Sequence, residues 1–235
     1  GTFRCNNLTV KSNASLTIPP GNALTVQGTF NYESGSEILV KADASGSGGL
    51  ITLGGIGTAD GAAKVEVYMT GKEYHYLSSP VSNEDNSQFL AANSGNDNDN
   101  FYSYNEASTQ TNPSYAWESY ISSGSSLEVG QGYSHYPESN RTYTLTGGTF
   151  NDGNITEPVY DSNNGDPANG WNVVGNPYPS AISADAFLNA NAGAINGTLY
   201  FWDDDQSSGN DYTSSDYATY TLGGSTSGGG RSEER

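Results

Sequence analysis

The first quarter of the chain repeats one short pattern of apolar and polar residues every eight positions. Leu8-Thr9-Val10, Leu16-Thr17-Ile18 and Leu24-Thr25-Val26 each place a threonine between two aliphatic residues, which is the two-residue period of a β-strand. The residues between the triplets are mostly Asn, Ser, Pro and Gly, which are typical of turns. Residues 38–40 and 50–53 carry related aliphatic runs. The pattern predicts a series of very short strands over residues 1–62.

Two architectures fit strands of this length. One is a meander of hairpins, and the other is a parallel β-helix with about three strands in each coil. Because the repeat returns the same side chain at the same phase each time, we favour the β-helix.

From about residue 63 the pattern changes to longer runs that are rich in aromatic residues and separated by Gly, Asn and Pro. This spacing is typical of an antiparallel sandwich, which we expect over residues 63–222, with one short helix at 183–189 capped by Ser183. The predicted strands begin near Val65 and continue at 74–77, 100–104, 115–121, 132–136, 142–145, 171–174, 198–202 and 217–222. Residues 223–235 are Gly/Ser-rich and polar and are predicted to be a flexible tail. The predicted fold is therefore all-β, with a short N-terminal parallel β-helix-like repeat leading into an antiparallel β-sandwich.

Composition and charge narrow the classes of partner. The chain has 26 acidic and 8 basic residues and a formal net charge of −18, so its surface repels nucleic acid and anionic membranes. Such a charge either keeps the protein soluble or is neutralised by bound divalent cations. Hydrophobic residues make up 34%, yet 17 Tyr, 7 Phe and 3 Trp predict a folded chain with a thin, aromatic-rich core. No run approaches the ~18 apolar residues of a membrane span, so we expect no membrane insertion.

The single cysteine, Cys5, excludes a disulfide within the chain. Two alternatives remain for it. We favour a small buried residue in a strand, and the other alternative is a bridge between two chains.

Several motifs carry a resemblance to a known group of proteins. The segment CNNLTVKSNASLTIPPGNALTVQGTF is similar to the β-strand repeats of large secreted proteins from the Bacteroidetes. The segments VEVYMTGKEYHYLSSPVS, FYSYNEAS, GQGYSHY, GWNVVGNPYPSAISADAF and LYFWDDD with YATYTLGG resemble landmarks of the domain that follows those repeats. The resemblance implies a type IX secretion substrate, exported to the outside of the cell and either released or held at the bacterial surface. It implies no particular activity.

The chain departs from this group after YATY. Its members continue into a further glycine-plus-aromatic strand and a C-terminal sorting domain, whereas this chain passes into a Gly/Ser stretch. We therefore expect either that a terminal strand is missing or that its place is filled by a strand from a neighbouring subunit.

Three loops concentrate the oxygen ligands that calcium prefers. Calcium takes about six to eight oxygens from carboxylates, amides and carbonyls, and none of the loops matches an EF-hand. The alternative is that Asp and Asn are simply good turn formers. We expect Ca2+ in at least one loop, with residues 203–211 the strongest candidate, because three consecutive carboxylates after an apolar strand need a counter-charge. The candidate ligands are Asp97, Asp99, Asp161, Asp166, Asp203, Asp204, Asp205 and Asp211.

No motif for catalysis is present. His75 and His135 are isolated from each other in sequence and one cysteine cannot complete a zinc cage, so we expect no transition-metal site. There is no G-x-S-x-G motif and no phosphate-binding glycine loop. A glycoside hydrolase would need a cleft with paired carboxylates, one of them with a raised pKa. We expect no enzymatic activity.

Two aromatic segments are candidate platforms for a sugar ring. Tyr115 with Trp117, and residues 200–202, could offer aromatic faces beside Asn and Asp. Core packing is an equally good interpretation of Trp117. We assign Trp171 to the core.

These observations favour a non-enzymatic extracellular module with a structural or adhesive role. We expect it to be stabilised by calcium and to assemble with copies of itself, into a fibre or surface layer, through an unfinished sheet edge. The alternative is a carbohydrate-binding module of a larger polysaccharide-processing protein.

Overall fold

The computed structural model of the chain describes residues 1–92, 101–106, 116–119, 123–162, 170–203 and 216–226. These residues form 19 strands and two short helices, so the predicted all-β fold class is confirmed. The strands are β1 Thr2–Cys5, β2 Leu8–Val10, β3 Ser15–Ile18, β4 Ala23–Val26, β5 Phe30–Tyr32, β6 Glu37–Val40, β7 Ala42–Asp43, β8 Gly46–Ser47, β9 Gly49–Thr52, β10 Ile56–Ala59, β11 Ala62–Met69, β12 His75–Leu77, β13 Phe101–Tyr104, β14 Trp117–Ser119, β15 Tyr133–His135, β16 Arg141–Leu145, β17 Thr198–Trp202, β18 Tyr217–Thr221 and β19 Gly224–Thr226; the helices are α1 Ser87–Ala92 and α2 Ala184–Ala190.

The N-terminal strands wind into a parallel β-helix of three coils. The first coil is β1, β2 and β3, the second is β4, β5 and β6, and the third is β9, β10 and β11, with the small hairpin β7–β8 inserted between the second and third. Each strand pairs in parallel with the strand one coil later, as Leu8 with Phe30 and Ser15 with Glu37. The eight-residue repeat therefore marks three consecutive sides of the β-helix, β2 and β3 of the first coil and β4 of the second, and the hairpin meander is wrong.

Asparagine side chains tie each coil to the next. Asn7 Oδ1 accepts the N–H of Thr29 at 2.8 Å, and Asn31 Oδ1 accepts the N–H of Thr58 at the same distance. The first bond lies at a corner between sheets, just before β5, where the backbone turns. The second lies inside β5 and β10, where the register of the two strands shifts, so that the Thr58 N–H binds a side chain in place of the partner strand's backbone. Asparagine side chains thus stabilise the stack both at a turn and at an irregularity in the strand pairing.

Strand β11 joins the β-helix to the rest of the molecule. Its first half pairs in parallel with β6, and its second half pairs antiparallel with β16. The domain boundary that we expect at residue 63 falls inside this continuous strand.

Two antiparallel sheets follow, ordered β12-β15-β13-β14 and β17-β18-β19. The Tyr76 ring stacks on Trp202 with 5.7 Å between centroids, and the Tyr76 hydroxyl lies 3.1 Å from that of Tyr217. The two sheets therefore pack through aromatic side chains, as the predicted antiparallel sandwich requires. The other face of the four-stranded sheet contributes Leu77, Phe101 and Tyr133 to a core that also contains Met69, Phe89, Leu127 and Tyr143.

Some elements differ from those predicted. Residues 171–174 form no strand, since Val174 makes an isolated bridge to Gln131 and the Asn172 amide bonds to the backbone of Tyr160 instead. Helix α2 begins after Ser183, whose hydroxyl accepts the Ala186 N–H at 3.2 Å, and this cap is confirmed. Residues 224–226, which we assigned to a flexible tail, form β19, because a turn at 222–223 folds the chain back onto β18.

Candidate functional site

The C-terminal end of the β-helix is closed on all three sides. The outer edge of β9 is capped by Pro179, whose carbonyl accepts the Leu50 N–H at 2.7 Å. Asp152 caps the next side, because its carboxylate accepts the Ile56 N–H at 2.8 Å and the Thr52 hydroxyl at 2.7 Å. The third side, β11, is covered by β16. No further coil can pair with this end without displacing these groups.

The N-terminal end is open as far as the described residues go. Strands β1, β2 and β3 are each the last strand of their sheet in the described part of the chain. Phe3, which pairs with Leu24 below it, is 64% exposed. A groove of about 240 Å3 runs beside it, lined mainly by apolar residues including Leu16, Ile18 and Ala23. Strand edges and core-type side chains are therefore both exposed at this end.

The open end also differs in charge from the remaining chain. Residues 1–32 contain no Asp or Glu, although the whole chain has 26. Between stacked coils, lysine–carboxylate pairs form: Lys11 Nζ lies 2.6 Å from Glu33 in the second coil, and Lys64 in the third coil pairs with Glu37 in the second. Arg4 is exposed on β1, at the edge where a further coil would stack.

The metal candidates fall mostly outside the described residues. Asp97, Asp99, Asp166, Asp204, Asp205 and Asp211 lie there, and so does the aromatic candidate Tyr115. Asp203 and Asp161 are described. In the parts of the chain that the structure describes, no group of three or more His, Cys, Asp or Glu side chains could hold a metal ion.

Asp203 has a neighbour that the sequence did not single out. Asp203 follows β17 and Asp216 precedes β18, and the Asp203 N–H donates to the Asp216 carbonyl at 2.7 Å. Both residues are buried. The segment proposed for calcium is therefore bracketed by two buried aspartates, and Asp216 is a second candidate ligand at its base.

Asp161 is followed by Ser162, which binds the carboxylate of Glu106. Glu106 Oε1 accepts the Ser162 N–H at 2.9 Å, the Ser162 hydroxyl at 2.6 Å and the Gly170 N–H at 3.0 Å. Burial raises the pKa of Glu106, but these hydrogen bonds outweigh burial and hold the pKa below its ordinary value. An ionised Glu106 thus binds both Ser162 and Gly170, the described residues on either side of segment 163–169.

Glu106 also lines a cleft of about 200 Å3, here called the polar cleft, together with Tyr104, Glu118, Gln131, Glu157, Tyr160 and Asn172. Glu118 accepts the Asn105 amide at 3.0 Å. Burial and the nearby charge of Glu128 raise the pKa of Glu157. The cleft therefore combines carboxylates, amides and phenol rings.

Both histidines are engaged in packing. His135 is fully buried among Phe89, Phe101 and Tyr143, and its Nε2 lies 2.8 Å from the Tyr143 hydroxyl. His75 Nε2 lies 2.8 Å from the Thr70 carbonyl. These contacts account for both imidazoles as structural groups.

The structure contradicts the assignment of Trp171 to the core and supports core packing for Trp117. Trp117 packs between Tyr76 and Tyr104, with centroid distances of 5.6 Å and 5.0 Å, so core packing is the better interpretation for it. Trp171, which we assigned to the core, is 45% exposed and contacts Tyr200. The reason is that residues 171–174 do not join a sheet, so the alternation of their side chains does not place the Trp171 indole in the core.

A family model described as a domain of unknown function (DUF8693) matches residues 2–232. No curated protein and no solved structure matches the chain. Within the described residues, no helix is long and apolar enough to cross a membrane.

Proposed function

We propose that the chain, which belongs to the DUF8693 family, a domain of unknown function, is a non-enzymatic structural module of the bacterial cell surface. Its role is to terminate a β-helix: one end is sealed, and the other joins a further β-coil. The observation that carries the proposal is the difference between these two ends. Strand edges left open are sites of strand addition, and closed edges prevent it.

The asymmetry limits how the module assembles. A head-to-tail fibre requires two open ends on each copy, whereas the C-terminal end is occupied by Asp152, Pro179 and β16. One contact of this kind per chain is therefore supported, and we propose a terminating unit or a pair of copies rather than a fibre.

The open end specifies the chemistry of its partner. The coil that covers it must place apolar side chains over Phe3 and Leu16, because Leu16 packs against the β-helix core and Phe3 is in register with Leu24, which also packs against that core. By analogy with the pairs of Lys11 with Glu33 and Lys64 with Glu37, it would bring a carboxylate over Arg4. A segment with the LT[IV] type of repeat and an acidic outer position meets both conditions.

An extracellular location and a stabilising calcium ion belong to the same proposal. The net charge of −18 favours a cation at the acidic loops. Asp203 and Asp216, buried at the base of one loop, support a site there.

A fusion tests the structural role. A second copy of residues 1–21 placed before Gly1 keeps the register, because Thr2 pairs with Ala23. We expect the added coil to stack on β1, β2 and β3 and to raise Tm by several degrees, since about 1 kcal/mol shifts Tm by roughly 2–4 °C in a chain of this size. The control is the same fusion with Leu8 and Leu16 of the added copy replaced by Asp.

The readouts are Tm and amide exchange of the added segment. Protection of the added coil, absent in the control, would support the proposal. An added coil that exchanges as freely as the control and leaves Tm unchanged would refute it.

A further inference from the structure

Two aromatic side chains lie together on the surface of the molecule. Trp171 and Tyr200 are 45% and 40% exposed, and their rings contact each other edge to face with 4.7 Å between centroids. The contact holds both rings in place while leaving much of each ring in water. We call this pair the aromatic platform. Exposed aromatic rings held in a fixed position offer a flat apolar surface on which a ligand can stack.

The platform is anchored to the interior by further rings. Tyr200 contacts Tyr217, which packs edge to face on Trp202 at 5.0 Å. The Trp202 indole N–H donates to the Tyr74 carbonyl at 3.0 Å. A platform supported in this way is preorganised, so that little conformational entropy is lost when a ligand stacks on it.

The polar cleft begins at the residue after Trp171. Asn172 lines it, and the Asn172 side chain is fixed by accepting the Tyr160 N–H at 2.9 Å and donating to the Tyr160 carbonyl at 2.8 Å. Glu118, Glu157 and Gln131 add further acceptors and a donor. Aromatic rings and fixed polar groups are therefore adjacent in the chain.

We propose that the aromatic platform and the polar cleft together bind a neutral saccharide. A pyranose ring has an apolar face that stacks on an indole and hydroxyl groups that bond to carboxylates and amides. Pockets for drug-sized ligands span about 300–1,000 Å3, so a cleft of about 200 Å3 suits a smaller group such as one sugar unit.

The charges decide which saccharide class fits. Three carboxylates line the cleft, and no Lys or Arg of the described residues does. Uronate-bearing and sulfated polysaccharides are repelled by this arrangement and by the net charge of −18. The size of the site also argues against a protein partner, because stable protein interfaces bury about 1,200–2,000 Å2.

The test is affinity electrophoresis of the full chain in gels that contain β-glucan, xyloglucan, galactomannan or, as the anionic comparator, polygalacturonate. We expect at least one neutral polysaccharide to retard the protein. Trp171→Ala should weaken that retardation on the order of tenfold, the scale of one lost aromatic contact, and Tyr200→Ala should weaken it several-fold. Leu53→Ala is the matched control, because Leu53 is 68% exposed on the β-helix, and it should bind like the parent.

Near-UV circular dichroism and Tm show whether each variant is folded. If Trp171→Ala does not fold, Trp171→Phe and Tyr200→Ala decide the question, since the first keeps a ring and the second removes one. Retardation by none of the neutral polysaccharides, stronger retardation by polygalacturonate, or equal binding of the Trp171 and Leu53 variants would overturn the proposal. So would a dimer in light scattering that Trp171→Ala dissociates without any effect on saccharide binding.

Discussion

At the scale of single residues, the buried tyrosine hydroxyls link stability to alkaline pH. Burial raises the pKa of Tyr143 to about 12, although the charge of Arg141 lowers it in part. Burial and contact with Tyr217 raise the pKa of Tyr76 further. An unfolded tyrosine ionises near pH ~10. Between these pH values the unfolded chain binds fewer protons than the folded one.

Stability should therefore fall as the pH rises from about 10 to about 12, because the folded state keeps Tyr143 protonated and the unfolded state does not. Urea denaturation at several pH values measures the slope. Tyr143→Phe removes one contribution and should flatten the decline in this range. An identical decline in the variant and the parent would contradict the assignment.

Glu106 gives a second prediction at this scale. Its three hydrogen bonds to Ser162 and Gly170 hold its pKa below the ordinary value, so its contribution is present above the unfolded pKa and is lost as pH falls through the folded pKa. Glu106→Ala should lower the free energy of unfolding at pH 7 by roughly 2–3 kcal/mol. Glu118→Ala is the control, because Glu118 lines the same cleft and is exposed, with its carboxylate accepting the Asn105 amide, and it should cost less than about 1 kcal/mol. Equal losses for the two variants would show that Glu106 does not anchor the loop.

At the scale of elements, the third coil depends on a cap from far along the chain. Asp152 supplies both acceptors for the exposed edge at Thr52 and Ile56. Asp152→Ala leaves a backbone N–H without its partner, and we expect a loss of about 1–3 kcal/mol in chemical denaturation. Asp60→Ala alters an exposed aspartate just after β10 and serves as the control. If Asp152→Ala is as stable as the parent, water satisfies the Ile56 N–H as well as the Asp152 carboxylate does.

The sequence predicted the elements whose signal is local. The triplets at Leu8, Leu16 and Leu24 indicated three strands per coil, and Ser183 indicated the start of α2, since strand period and helix capping are written within a few residues. Helix α1 was missed because its six residues are too few to show a 3.6-residue period.

The site could be predicted less well, because its contacts are distant in sequence. Asp152 lies 96 residues from Ile56, and no spacing rule links them. Trp171 was assigned to the core because its segment alternates like a strand, yet Asn172 bonds to Tyr160 in place of a sheet partner. Asp216 was missed because it becomes a candidate ligand only when β17 and β18 pair.

At the scale of the whole molecule, the net charge of −18 leads us to expect that the proposed calcium ion affects stability. We expect millimolar calcium to raise the Tm of chelator-treated protein, because a ligand that binds the folded state alone stabilises it by mass action. The rise in Tm on adding calcium should be smaller in the variants Asp203→Asn and Asp216→Asn. It should be unchanged in Asp43→Asn, on the β7–β8 hairpin. An unchanged Tm at millimolar calcium would refute a stabilising calcium site.

In the part of the chain that the structure describes, the β-helix is sealed at one end and open at the other. Successive backbone N–H groups of a strand point to opposite edges. Because the Leu8 N–H donates to the second coil, the Thr9 N–H points to the open edge. The Thr17 N–H does the same in β3. The amides of Leu50 and Ile56 are the equivalent outward groups at the sealed end, where Pro179 and Asp152 bind them.

Residue-resolved amide hydrogen exchange on the unmodified chain is the most direct test of this claim. We predict slow exchange for Leu50 and Ile56 and fast, loop-like exchange for Thr9 and Thr17. Equal protection at the two ends, or stronger protection of Thr9 and Thr17, would contradict it.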